Sequence, residues 1–340
     1  MNVSSWGKMW SNWGIPLVLV ALIAIASIIS PGFLSLSNVQ SILRESAYLG
    51  IVACAMTIAI ISGSFDLSVG AQLALVSVVT LFAYGIGGMG LAVGAALAAG
   101  VACGLVNAGL VVLLRIPAFV ATLATLFIFR GIAYVLTANG PATLPYSESG
   151  SPFAALGSAN LALVPMPFVL MVAVFALSWV LLRRTATGRR ITAFGSAPVA
   201  ARYSGISEAR TGVVVFVLLG LSVGIAVLAY VTRVWTADGA TQDGFELRVI
   251  TAAVLGGASL QGGRGSLLGT FSAVLLIATL NDLMVGLGVE ASSQRIVLGI
   301  VLIAALAIDG LRTVARDNGG RPHRSRGNRL TANPRDRSVT

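Results

Sequence analysis

An aspartate set among serines and glycines, inside an otherwise apolar stretch, is the first place where this sequence could do chemistry. The run Ser62-Gly63-Ser64-Phe65-Asp66-Leu67-Ser68-Val69-Gly70 separates two apolar segments. Gly63 and Gly70 permit non-helical backbone, and Ser64, Asp66 and Ser68 bring hydrogen-bonding groups. Unwound backbone at membrane depth is tolerated only inside protein or against a wet cavity, and a carboxylate there marks a solute path or a partner. Gly63, Ser64, Asp66, Ser68 and Gly70 are therefore candidates for a pathway or gate. The same run also reads as a short interfacial turn in which Asp66 or Ser68 caps the following helix.

Two further segments break the apolar pattern. Gly244-Phe245-Glu246-Leu247-Arg248 precedes an apolar run that ends in the Gly-rich stretch Leu255–Ser266, where Gly256 and Gly257 join the pathway candidates. Both halves of the chain thus hold a Gly/Ser-rich interruption, a weak hint of an internal repeat. Between Arg183 and Arg210 lie Thr187-Gly188-Arg189-Arg190-Ile191, Ala193-Phe194-Gly195 and Ala200-Ala201-Arg202-Tyr203-Ser204-Gly205-Ile206. There Ala200, Tyr203 and Ile206 share one face of an expected short helix at i, i+3 spacing. Such a helix docks into a groove on a soluble partner or rests on lipid headgroups.

Two scarcities exclude whole classes of function. Lys8 is the only lysine and His323 the only histidine. A phosphate-cradling G-x-x-x-x-G-K-[ST] loop cannot be written with these residues, nor can His-dependent nucleophilic catalysis within the membrane. Cys54 and Cys103 sit in apolar runs without ligand-type neighbours and read as small hydrophobes. No cofactor, no metal site and no catalytic residue are expected.

What positions these segments is a membrane body. Of 340 residues, 56% are in the apolar set and 10% are charged, with a mean hydropathy of +0.92. Soluble domains carry about 25% charged residues. A bilayer crossing takes about 20 apolar residues, and stretches of that kind are expected at 15–30, 47–62, 67–86, 91–114, 117–137, 164–182, 212–232, 247–260, 267–284 and 296–311. The spans beside 62–70 and 255–266 read equally as broken helices. The fold class is thus an all-α polytopic membrane protein of about ten transmembrane helices.

Charge orients it. With the N-terminus inside, the segments expected in the cytoplasm hold 17 of the 22 basic residues, as the positive-inside rule requires. Ala138–Leu163 has no Lys or Arg, and Ala237–Glu246 carries Asp238, Asp243 and Glu246, so both fall outside. Residues 1–14 form a cytoplasmic leader followed by a retained first helix, with Trp6, Trp10 and Trp13 at an interface. The body is 15–311, with its cytoplasmic segment at 183–210. The tail 312–340 holds eight arginines against Asp317 and Asp336 and is expected to be disordered and lipid-facing, without an element for reading nucleic acid. Arg130, inside an apolar run, reads as a structural residue with a partner or an interfacial snorkel.

Taken together, Asp66-Leu67-Ser68-Val69-Gly70, Ala118-Phe119-Val120-Ala121-Thr122-Leu123 with Arg130-Gly131, Gly188-Arg189 through Ser204-Gly205-Ile206, and Glu246-Leu247 with Ala253-Val254-Leu255-Gly256-Gly257 and Gly262-Gly263 resemble the ribose-type sugar permease family. These are the membrane subunits of bacterial ATP-binding-cassette importers, and the likeness covers about Asn38 to Asp309. The resemblance implies a permease in the bacterial inner membrane, with both termini cytoplasmic. It also implies cytosolic ATPase subunits, a second permease copy or paralogue, and an extracytoplasmic solute-binding protein as partners. Gly188, Arg189, Arg190, Gly195, Ala200, Ala201, Tyr203, Gly205 and Ile206 would then couple to the ATPase, and Phe245, Glu246 and Arg248 would lie on the binding-protein side. Ala197-Pro198, Arg248 and Ser64-Phe65 depart from the family pattern, the last two near the expected path. A branched-chain amino-acid or nucleoside permease is the neighbouring alternative. An autonomous secondary carrier is the alternative from another class, set back by the lack of paired intramembrane carboxylates.

Overall fold

The computed structural model describes residues 3–144 and 146–319, without the side chains of residues 3–13, 146, 149, 291 and 308–319. The expectations for Trp6, Trp10 and Trp13 and for the tail from Gly320 onward lie outside that description. The chain is a helical membrane body, multi-pass and almost without sheet. Twelve α-helices follow one another: α1 (Val3–Ile29), α2 (Leu36–Ile61), α3 (Val69–Ala108), α4 (Ala118–Leu136), α5 (Pro152–Ser158), α6 (Met166–Arg184), α7 (Ala186–Ser196), α8 (Pro198–Tyr203), α9 (Glu208–Val234), α10 (Phe245–Leu255), α11 (Leu267–Gly286) and α12 (Ala291–Gly319). Four two-residue strands form two small ribbons, β1 (Ala142–Thr143) with β4 (Thr236–Ala237) and β2 (Asn160–Leu161) with β3 (Val164–Pro165).

Helix α2 is the mast of the bundle. Every residue from Ser46 to Ile61 is buried, as expected of a helix apolar on all sides. Around it pack α6, α7, α9, α10 and α11. Its first turn starts earlier than hydropathy suggests, because Ser35 caps it by accepting from the Asn38 amide at 3.4 Å. Helices α4 and α6 are mostly open on their apolar flanks, with Phe127, Ile128, Leu177 and Trp179 exposed where lipid would cover them.

Helix α3 is a hairpin rather than a rod. With the π-turn Gly109–Leu113 it forms a 45-residue apolar stretch, far longer than a bilayer needs. Gly87 and Gly88 leave helical geometry, with Gly88 at φ 66°. The chain turns there, so that Asn107 near the end meets Ser68 at the start. The two arms correspond to the separate spans expected at 67–86 and 91–114.

The returning arm locks onto α9 through bare backbone. A Cβ on Gly100 would lie 2.9 Å from Gly224 N, and one on Gly220 would lie 3.0 Å from Gly104 N. Two small-xxx-small pairs thus face each other, the device by which helices approach closely in lipid.

Of the two readings of 247–260, the broken helix holds: the eleven-residue α10, about 16 Å long at 1.5 Å per residue, ends at Gly256 and Gly257, the latter at φ 95°. The strap Trp235–Gly244, a two-residue strand followed by turns, leads into α10. The basic stretch expected to be disordered from Arg312 begins as helix, since α12 runs to Gly319 and no Gly or Pro interrupts Leu311–Asn318.

Substituting Gly220→Leu should lower stability by at least about 3 kcal/mol, the upper end of core overpacking. Gly94→Leu on α3, where a Cβ meets nothing within 4 Å, should hold or raise it. Thermal midpoints in detergent, read by size-exclusion retention, check the pair.

Candidate functional site

The unwound run between α2 and α3 closes on itself through Asp66. One carboxylate oxygen accepts from the Ser68 amide (2.7 Å) and the Ser68 hydroxyl (2.6 Å). The other accepts from Gln72 Nε2 (2.9 Å) and Asn107 Nδ2 (2.8 Å). Both amides also donate to Ser68 Oγ at 2.8 Å, and Thr125 on α4 donates to Asn107 Oδ1 at 2.7 Å. Asp66, Ser68, Gln72 and Asn107 have no solvent exposure. All four groups facing the carboxylate are donors, so both of its oxygens are hydrogen-bonded inside the protein. Gln72 Oε1 has no hydrogen-bond partner.

The cluster lies deep. Thr125 is seven residues into α4, about 10 Å along its axis, and α4 starts at the end of the bundle that carries α7 and α8. Asp66 therefore clasps the α2–α3 break to both arms of the α3 hairpin and to α4. Of the other pathway candidates, Gly63 is exposed, Ser64 is half-buried, and Gly70 and Gly256 are buried. Gly70 lies against the Glu246 carboxylate and is 3.4 Å, from its ideal Cβ, to Glu246 N. Gly256 packs on the first turn of α11, where its Cβ would lie 2.5 Å from Thr270 Cα.

Helix α10 starts inside the protein. Phe245 is fully buried and stacks on Tyr48 of α2 at 5.9 Å between ring centroids. Glu246 is half-buried with Oε2 unpartnered. Arg248 lies 5.6 Å over the Phe245 ring, bonds Gln242, and comes within 4.0 Å of Glu45. Phe245 and Glu246 face the interior of the bundle. Arg130 has a partner at depth. Its Nη1 donates to the Gly239 carbonyl at 2.9 Å and pairs with Asp243 at 3.5 Å. It thereby ties the strap before α10 to α4, and the Tyr134 ring lies over Gly239. Its Nε and Nη2 have no partner.

At the α7 end, an exposed platform forms. Helix α7 turns Gly188, Ile191 and Gly195 inward at i, i+3, i+7 spacing, leaving Arg189 and Arg190 exposed. Gly188 allows α7 to fold back on α6, since a Cβ there would lie 2.7 Å from Leu182 O. Helix α8 is only six residues long. Ile206 is not on it: the chain turns at Gly205, φ 78°, and the Ile206 amide caps back to Ala201 O at 3.0 Å. The expected Ala200–Tyr203–Ile206 face is therefore corrected to Val199, Ala200 and Tyr203. Tyr203 is 90% exposed, Ala201 is buried and Ile206 half-buried.

The sequence reading had no signal for α7 beyond that Gly–Ile–Gly spacing, and none linking Gln72, Asn107 and Thr125 to Asp66 except that each is a polar residue in an apolar helix.

The family model described as "Branched-chain amino acid transport system / permease component" matches residues 38–306. The chain belongs to this permease family. The permease is 37% identical over 294 residues to the ribose import permease protein RbsC of Escherichia coli K12, covering 86% of this chain and 92% of the relative. It is 38% identical over 293 residues to the protein of the same name from Bacillus subtilis 168, covering 86% and 90%. To the L-arabinose transport system permease protein AraH of Escherichia coli K12 it is 36% identical over 313 residues, covering 92% and 94%. No solved structure matches the permease.

In Asp66→Asn, an amide nitrogen would face groups that are themselves donors. It should lower stability by about 3 kcal/mol, whereas Thr125→Val, which removes one neutral hydrogen bond, should cost about 1 kcal/mol. Thermal unfolding of the two variants in the same detergent reads the ratio.

Proposed function

We propose that this chain is the membrane subunit of an ATP-driven importer for a monosaccharide or similar small polar solute, and that it sits in the bacterial inner membrane with both termini cytoplasmic. The observation that carries this reading is the near end-to-end match to permeases named for ribose and for L-arabinose. The family's description favours branched-chain amino acids as the second reading. Identity across most of the chain to permeases named for sugars outweighs a description that covers the whole family.

On this reading, energy comes from a separate ATPase seated on the α7–α8 platform. That platform protrudes, carries Arg189 and Arg190 on its outer side, and presents Val199 and Tyr203 as apolar anchors. Exposed large apolar groups flanked by cations suit a groove with an acidic rim. A second permease copy or paralogue would cover part of the open apolar flanks. The opposite end would receive the solute-binding protein. It carries Arg44 and Arg233, and a polar depression of about 380 Å³ lined in part by Ser35, Ser37, Asn38, Ser41 and Asp282. Solute would pass by way of the two interruptions, with the Asp66 clasp and the Gly256–Gly257 break holding the gate region. Residues 1–14 and 312–340 would lie on the cytosolic side with α7 and α8.

The double variant Arg189→Glu/Arg190→Glu is the direct test. Juxtaposed like charges cost several kcal/mol, so affinity for the ATPase should fall about a hundredfold or more. Uptake of labelled sugar should then be lost while the amount of permease in the membrane is unchanged. Wild-type uptake by the double variant would remove the platform assignment. Separately, uptake should continue when a protonophore collapses the proton gradient at constant ATP; its abolition would favour a secondary carrier.

A further inference from the structure

The three interruptions that stand apart in the sequence meet at one point. The carbonyl of Ile61, the last residue of α2, accepts from the Gly263 amide at 2.8 Å. Gly195 of α7 sits against the same carbonyl, and its ideal Cβ position is 2.9 Å from Gly263 N. A Cβ on Gly262 would lie 2.9 Å from Gly195 O and 3.1 Å from Gly63 Cα, and one on Gly263 would lie 2.7 Å from Ser196 Cα. Gly262 and Gly263 both hold positive φ, 84° and 74°. Here the end of the mast, the platform helix and the loop after α10 touch backbone to backbone.

Such a junction differs mechanically from ordinary packing. Side chains absorb small shifts by changing rotamer, and close-packed interiors otherwise transmit displacement. No side chain stands between α7, Ile61 and Gly263. From this point, one route leads through Ser62–Asp66 to the clasp that joins α3 and α4. The other leads back through Ser259, whose amide donates to Arg264 O at 3.1 Å, to Gly256 against α11 and so to α10.

We infer that the Ile61–Gly195–Gly263 junction passes displacement of the platform to both membrane interruptions at once, the α2–α3 break and α10, and that Gly195 and Gly263 are positioning residues for transport. The inference rests on the reading of α7–α8 as the ATPase seat, and adds how that seat reaches the gate region.

The test is Gly263→Ala, whose Cβ would lie 2.7 Å from Ser196 Cα, in the assembled transporter, with three readouts: co-purification of the ATPase, ATP hydrolysis, and solute uptake. The expected result is unchanged co-purification and basal hydrolysis with uptake reduced about tenfold or more, within the usual range of coupling between sites. Unchanged uptake overturns the inference. So does loss of the ATPase together with uptake, because Gly263 would then only shape the seat. If instead Arg189→Glu/Arg190→Glu keeps its ATPase and its uptake, the seat itself is wrong, which separates the two failures.

A second variant keeps the inference testable if Gly263→Ala does not fold. Ser196→Cys is nearly isosteric, and the permease alone is labelled there with a methanethiosulfonate before the ATPase is added. The native cysteines are buried. Labelling should abolish uptake, and dithiothreitol should restore it. The same label on Ser292→Cys, exposed at the start of α12, should leave uptake unchanged. Full uptake by labelled Ser196→Cys overturns the inference.

Discussion

Unpaired backbone and unpaired charge are both intolerable in hydrocarbon, and much of this permease is arranged around two places where the helical ladder stops. At the first, a single carboxylate collects four donors, one backbone amide of the break and three side-chain groups, and so ties the break to the helices around it. That requires partners from α3 and α4, which in turn requires the α3 hairpin to return to its own starting depth. At the second, the break after α10 is closed by backbone, through Gly263 and Ile61. The mast α2 is buried from Ser46 to Ile61 because α6, α7, α9, α10 and α11 pack around it.

The glycines divide by what they permit. Along the seam of α3 with α9, paired glycines let two long helices touch over several turns, which makes the returning arm and α9 a single unit. At the junction of Ile61, Gly195 and Gly263, they bring three different segments to one point and leave no compliant layer between them. The strap before α10 uses another device, an arginine from α4 that grips a carbonyl and a carboxylate. Each device suits its place: small residues where helices must come close, and hydrogen bonds with charge where the chain turns outside a helix.

Much of this was legible in the sequence, for identifiable reasons. Apolar runs fix the positions of most helices, and the Gly87–Gly88 fold within α3 falls where two separate spans are expected. Asp66 stands out because a carboxylate in such surroundings demands a reason. Its partners Asn107 and Thr125 do not, because they are distant in sequence and single polar residues in apolar helices have many uses. Hydropathy cannot distinguish a full helix at 247–260 from a short helix that ends at Gly256, since the residues on both sides of that break are mostly apolar. The reach of α8 was overestimated because i, i+3 spacing ignores the left-handed turn at Gly205. The inward orientation of Phe245 and Glu246 follows from the ring of Tyr48 and the bare backbone of Gly70, which no local pattern reveals.

The brevity of α10 bears on how the protein is made. A helix of eleven residues, carrying Glu246 and Arg248 in its first turn, is too short to settle across lipid when it leaves the ribosome. Its lodging exists only once α2, with Tyr48 and Gly70 nearby, and then α11 are in place. Membrane insertion of this chain therefore includes a step of assembly as well as of partitioning, in which a segment already synthesised is drawn into a slot that its later neighbours α11 and α12 complete.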